Sequence, residues 1–144
     1  MKVIFLDIDG VLNNIGLLYH YGFDYIDHDM TRLFVNIVRR TGAKVVLSSS
    51  WRLDQRSSEI VEKILAQYGL ELLDKTPRLE GSPRSEEISS WLEDHPGVRK
   101  YAILDDNTDA GIGMEDNFFQ TDPENGLDAD TAEGVAAHLG FNKR

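Results

Sequence analysis

The sequence predicts an α/β fold: a three-layer α/β/α sandwich built on a mostly parallel sheet. Two patterns carry this reading. Short apolar, β-rich runs alternate along the chain with longer stretches whose apolar residues recur at helical spacing. The helical stretches close at glycine or at Pro-Gly, so each is a bounded helix that returns the chain to the next strand. At 144 residues, 41% hydrophobic and 28% charged, the chain suits a single domain spanning 1–144.

Lys2 to Leu6 reads as the first, buried strand. A helix follows from about Asp29, with Leu33, Ile37 and Val38 on one face and Gly42 as its stop. Lys44 to Leu47 is the second strand. Asp54 to about Tyr68 forms the next helix, with Ile60, Ile64 and Leu65 inward and Gly69 at its end. Leu70 to Leu73 reads as a third short strand. Ser85 to Glu93 is helical through Ile88, Trp91 and Leu92, and Pro96-Gly97 marks the exit. Tyr101 to Leu104 and Phe118 to Thr121 supply the last two strands. Asp128 caps a final helix carrying Val135, Ala136 and Leu139.

Lys plus Arg number 15 and Asp plus Glu 25, a net charge of −10. That balance argues against a broad grip on duplex nucleic acid, which needs a basic surface, but leaves local phosphate recognition open. With no cysteine, disulfides, thiolate catalysis and cysteine-held metals are excluded. The apolar run at the N-terminus is too short for a signal peptide or a membrane span, so a cytoplasmic protein without membrane contact is expected.

In folds of this class ligands sit beyond the carboxyl ends of the strands. The first strand is followed by Asp7-Ile8-Asp9-Gly10-Val11-Leu12, the second by Ser48-Ser49-Ser50-Trp51-Arg52 and the fourth by Asp105-Asp106. Asp7, Asp9, Asp105 and Asp106 should converge at one sheet edge. Their mutual repulsion demands a cation, and hard oxygen ligands at an open site suit Mg²⁺. Hydroxyls and an arginine nearby, among them Arg84 at a helix start, suit a phosphate dianion. A carboxylate beside a metal can attack phosphorus, and a second can carry protons.

On these residues the sequence resembles the haloacid dehalogenase-like (HAD) phosphohydrolase superfamily, Rossmann-like and here without a full cap domain. Asp7 to Leu12 looks like its first motif, the serine run its second, Arg84 its third and Asp105-Asp106 its fourth. The stretches Leu47 to Arg52, Arg84 to Ile88 with Trp91-Leu92, Ile103 to Asp106, and Gln120 to Pro123 with Gly126-Leu127 resemble the HAD domains of Swiss Army Knife RNA-repair proteins. The phosphatase domain of phage polynucleotide kinase is a more distant likeness.

The resemblance implies a nucleophile, Asp7, forming an aspartyl-phosphate, and an acid then base, Asp9. Asp7, the Asp9 carbonyl and one of Asp105 and Asp106 would hold Mg²⁺, with Asp106 favoured as the direct ligand. Ser49 fits the second motif by its spacing from Gly42, with Ser48 the alternative; Ser48, Ser49, Ser50, Arg52 and Arg84 form the candidate phosphate-binding set. Arg84 stands where lysine is commoner, and Arg52 and Arg78 are its substitutes.

Neither 13–30 nor the stretch between Arg52 and Arg84 holds a cap domain, so 13–30 is a small flap beside an open site. Within it Tyr19, Tyr21, Phe23 and Tyr25 alternate with other residues, placing four aromatics on one face of a strand or hairpin. That face either covers a small flap core or stacks a base; Trp51 carries the same pair of readings. His20 and His28 are weaker substrate contacts, and His95 and His138 read as surface residues at helix ends. The expected function is a Mg²⁺-dependent phosphomonoesterase acting on a nucleotide, another phosphorylated small molecule or a nucleic-acid end. A capless protein phosphatase and a non-catalytic phosphate-binding module are the alternatives.

Overall fold

The computed structural model describes residues 1–142. Five strands, β1 (Lys2–Leu6), β2 (Lys44–Leu47), β3 (Leu72–Lys75), β4 (Lys100–Asp105) and β5 (Phe118–Gln120), form one sheet in the order β3-β2-β1-β4-β5. Every neighbouring pair is parallel, so the sheet expected to be mostly parallel is wholly so. Five α-helices connect or flank the strands: α1 (Ile15–Tyr21), α2 (His28–Thr41), α3 (Gln55–Ala66), α4 (Arg84–Glu93) and α5 (Ala129–Leu139).

From β1 the chain steps outward through α2 to β2 and through α3 to β3. It then crosses back through α4 to β4 on the other side of β1. Right-handed crossovers taken in opposite directions place their helices on opposite faces. The two cores have that arrangement. Ile4, Leu6, Val45, Leu47, Ala102 and Leu104 pack with residues of α2, α3 and α5. Their strand neighbours Val3, Phe5, Val46 and Ile103 pack instead with Ile88 and Trp91 of α4 and with Ala110. The period-2 alternation of side chains divides each strand between the two layers. Covered on both faces, Val3 to Leu6 of the central strand are wholly buried.

Local chemistry sets the helix boundaries. Asp27, Asp54 and Asp128 each accept a backbone N–H of the first turn of the helix they precede. Gly42 ends α2 in a left-handed conformation at φ 72°. Trp91 meets Phe5 edge-on at 5.4 Å and donates its indole N–H to Asp74 at 2.8 Å, tying α4 to β3.

The structure corrects the sequence reading at several places. The third strand lies at Leu72–Lys75, later than Leu70 to Leu73. The aromatic alternation is not a strand. Asn14 caps α1 by accepting from Leu17, and Gly22, at φ 111°, ends it. Past that cap the chain turns, and rings four apart meet across it: Tyr19 of α1 with Phe23 edge-on at 5.7 Å, and Tyr21, the last helical residue, stacked on Tyr25 at 4.5 Å. No residue of α1 is buried, so the flap has no core of its own. Three 3₁₀ turns, Ser50–Leu53, Thr108–Gly111 and Glu115–Asn117, were also missed. The first two rest on side-chain caps from Ser49 and Asn107, which leave no apolar period to read. The segments joining the strands hold no cap domain.

Candidate active site

The strand order reverses between β1 and β4, and the carboxyl edge at such a switch point is where folds of this class bind ligands. Hydrogen bonding continues one residue past the strand ends. Asp7 N–H donates to the Leu104 carbonyl at 3.0 Å, Ser48 N–H to that of Leu6 at 2.9 Å, and Thr121 N–H to that of Asp105 at 3.0 Å. Ser48, Asp7, Asp105 and Thr121 therefore stand side by side along this edge.

Oxygens of Asp7, Asp105 and Asp106 lie within 4.8 Å of one another. Asp7 and Asp105 are buried, at 4% and 1% exposure. Burial, and next the charge of Asp105, push the Asp7 carboxyl well above its ordinary range, with Arg84 opposing them. Burial and a hydrogen bond with Asp105 also raise Asp106. Gly10 permits the close approach: it adopts φ 80°, and a Cβ there would overlap the Asp106 carboxylate.

Arg84, the first residue of α4, reaches into this cluster. Its Nη1 donates to Asp105 Oδ2 at 3.0 Å and lies 3.5 Å from Asp7 Oδ1. Burial works against its charge, but the two carboxylates outweigh it and raise its pKa. The other Asp105 oxygen accepts the Asn107 N–H at 2.9 Å. Asp105 is thus fixed by partners on both oxygens, whereas Asp106 is only partly buried.

The remaining candidates separate clearly. Ser48 and Ser49 are both buried, but Ser49 Oγ accepts the Trp51 N–H at 3.2 Å, while Ser48 Oγ has no partner among the described residues. Ser50 is exposed at the start of its turn. Arg52 is engaged elsewhere. It donates to the carbonyls of Ser49, Thr76 and Pro77 and forms a buried pair with Glu87 at 2.8 Å. Arg78 pairs on the surface with Glu80. Trp51 is buried in the larger core, at 7% exposure, which leaves it no face for a base.

Asp9 is exposed and outside the carboxylate cluster; its Oδ1 accepts from Asn13 at 3.0 Å. Tyr21 and Phe23 are 60% and 68% exposed. His20 lies edge-on to Tyr21, and His28 pairs with the Tyr68 hydroxyl. His95 stacks on Trp91. His138 is half-buried and joins α5 to Tyr101 and Asn117, so it is not simply a surface residue.

Three contributors escaped the sequence reading. Thr121 Oγ1 donates to the Gly10 carbonyl at 2.6 Å and braces the loop after β1. Glu87 accepts from both Arg52 and the Leu79 N–H, but reads in sequence as an ordinary first-turn acid. Asn13 is wholly buried behind Asp9, and only its place after the apolar Val11-Leu12 pair hints at that.

A family model for the HAD domain in Swiss Army Knife RNA repair proteins matches residues 3–132, a range that takes in β2 to β5, all of β1 but Lys2, and the clustered carboxylates. The chain belongs to this family. No curated protein and no solved structure matches the chain. For this HAD domain the donor set itself fits a divalent cation: three close carboxylates, two of them held above their ordinary pKa by burial and by Asp105, all hard oxygens of the kind Mg²⁺ takes. Among the described residues no helix is long and apolar enough to cross a membrane.

Proposed function

We propose that this HAD domain is a Mg²⁺-dependent phosphomonoesterase acting through an aspartyl-phosphate, on a nucleotide or a nucleic-acid-end phosphate. The observation that carries the reading is the meeting of Asp7, Asp105 and Asp106 with Arg84 at the switch point. Asp7, Asp106 and the Asp9 carbonyl are the proposed metal ligands, with Asp105 holding Arg84 in place. Bound there, Mg²⁺ would offset the carboxylate repulsion and withdraw charge from the phosphate.

A carboxylate oxygen of Asp7 attacks phosphorus as the ester P–O bond breaks, and Asp9 gives its proton to the departing oxygen. Water then attacks the phosphorus of the acyl phosphate. Asp9 takes the proton from that water, the bond between phosphorus and Asp7 breaks, and inorganic phosphate leaves. Arg84 neutralises the phosphoryl oxygens throughout. Ser48, rather than Ser49, is the hydroxyl we assign to a phosphate oxygen, because it is buried beside Asp7 without a partner among the described residues while Ser49 caps a turn.

Membership of an RNA-repair family and the absence of a cap support a macromolecular end as substrate. The net charge of −10 favours a short end over a long duplex. Phosphate release from aryl phosphate, nucleotides, 3′- and 5′-phosphorylated oligonucleotides and phosphopeptides tests this, with Mg²⁺ or EDTA. Turnover of a nucleotide or oligonucleotide end, stopped by EDTA, is expected. Preference for phosphopeptides would redirect the substrate class, and no turnover on any of them would leave a binding module.

A further inference from the structure

Resting on the phosphomonoesterase reading above, we infer that Asn13 is a positioning residue. It holds the Asp9 carboxylate by one oxygen, leaves the other to carry the transferred proton, and couples that orientation to the flap. Asn13 is completely buried, and its amide is fully engaged. Its Oδ1 accepts the Gly10 N–H at 2.9 Å, and its Nδ2 donates to Asp9 Oδ1 at 3.0 Å and to the Tyr25 carbonyl at 3.0 Å. These partners fix which end of the amide is nitrogen: reversal would face oxygen against two acceptors and NH₂ against a donor.

The consequence for Asp9 is specific. Its side chain is exposed and without Asn13 would sample several rotamers. Asp9 Oδ1 already accepts an N–H, so the proton of the acid form belongs on Oδ2. A carboxyl held in this way meets the leaving oxygen with less reorganisation.

The second Nδ2 hydrogen reaches the flap. Tyr25 stacks on Tyr21 and donates its hydroxyl to Asp27, whose own N–H returns to the Leu12 carbonyl. One amide thus spans the acid, the loop after β1 and the aromatic end of the flap.

The test exploits leaving-group basicity. An alkoxide needs a proton to depart, whereas dinitrophenolate does not. Asn13→Asp keeps the oxygen facing Gly10 N–H but removes the donor; Asn13→Leu removes both at similar size. Each is compared with the natural sequence and with Asp9→Asn, by kcat/KM on a nucleoside monophosphate and on 2,4-dinitrophenyl phosphate. The ratio of the two substrates within one variant cancels any loss of folded protein. We expect both Asn13 variants to lose at least about tenfold more activity on the nucleotide than on the dinitrophenyl ester, in the same direction as Asp9→Asn. Equal losses on both esters, with Asp9→Asn still discriminating, would overturn the role of Asn13 alone. An Asp9→Asn variant that does not discriminate would overturn the assignment of Asp9 as the acid, and the role of Asn13 with it.

Discussion

Arg84 Nη1 donates to Asp105 Oδ2 at 3.0 Å, and the same nitrogen stands 3.5 Å from Asp7. One guanidinium therefore joins the end of β4 to the end of β1 and supplies the counter-charge for two buried carboxylates. Removing it strands both. Arg84→Ala should lower kcat/KM by about 10² or more, the scale of losing one preorganised charge-stabilising group. Its melting temperature in EDTA should also fall, with part of the loss recovered in Mg²⁺. Arg84→Lys should retain more activity than alanine, since a point charge survives without the fork. Kinetics and melts with and without Mg²⁺ check both.

The carboxylate cluster sets a pH dependence whose sign follows from its shifts. Folding raises the Asp7 and Asp106 carboxyls above the ordinary 3.8, so the folded chain binds more protons than the unfolded one from about that pH upward to the raised values. Stability of the metal-free protein should therefore fall as pH rises through that window. Mg²⁺ competes with those protons and should remove the fall, stabilising more at neutral pH than at pH ~4. Thermal melts across this range, with Mg²⁺ or EDTA, measure it; curves unchanged by pH and by Mg²⁺ would contradict the cluster as a cation site.

Arg52 and Glu87 should behave as structural residues. Their side chains are only 4% and 10% exposed and lock the loop after β2 to that after β3. Glu87→Ala leaves a buried guanidinium unpaired and should cost about 3–5 kcal/mol in urea unfolding. The folded fraction should keep much of its kcat on aryl phosphate. A stable variant with lost activity would instead return Arg52 and its partner to the chemistry.

The flap aromatics should act on binding. Tyr21 and Phe23 are exposed, so alanine there removes little packing. Stacking on a base is worth about 1–3 kcal/mol, so Tyr21→Ala or Phe23→Ala should raise KM for a nucleotide or oligonucleotide by roughly five- to 150-fold while sparing aryl phosphate. Equal effects on both substrates, or a marked drop in melting temperature, would assign these rings to packing.

The sheet and the carboxylate edge were legible because both rest on short-range signals: apolar runs, glycine stops, and acids directly after strands. The alternation of Tyr19, Tyr21, Phe23 and Tyr25 misled because a capping asparagine starts a helix that runs only to Tyr21, and the turn after Gly22 sets Phe23 and Tyr25 against the rings of that helix. Arg52 looked like a phosphate ligand from its place beside the serines; its partner Glu87 lies on another helix, where proximity in sequence says nothing. Ser48 and Ser49 are chemically identical neighbours. Only the cap that Ser49 makes to Trp51 distinguishes them. Asn13 was invisible for the same reason, since its three partners meet only when the loop after β1 and the flap fold together.

Covalent capture on Asp7 decides between a phosphotransfer enzyme and a phosphate-binding domain. The Asp9→Asn variant is mixed with Mg²⁺ and 2,4-dinitrophenyl phosphate, a substrate that needs no proton to leave, then quenched in acid and digested for mass spectrometry. A phosphate on the peptide containing Asp7, absent when Asp7→Asn is combined with Asp9→Asn, is expected, together with loss of turnover in Asp7→Asn alone. An unmodified peptide with full turnover in Asp7→Asn would show that Asp7 is not the nucleophile.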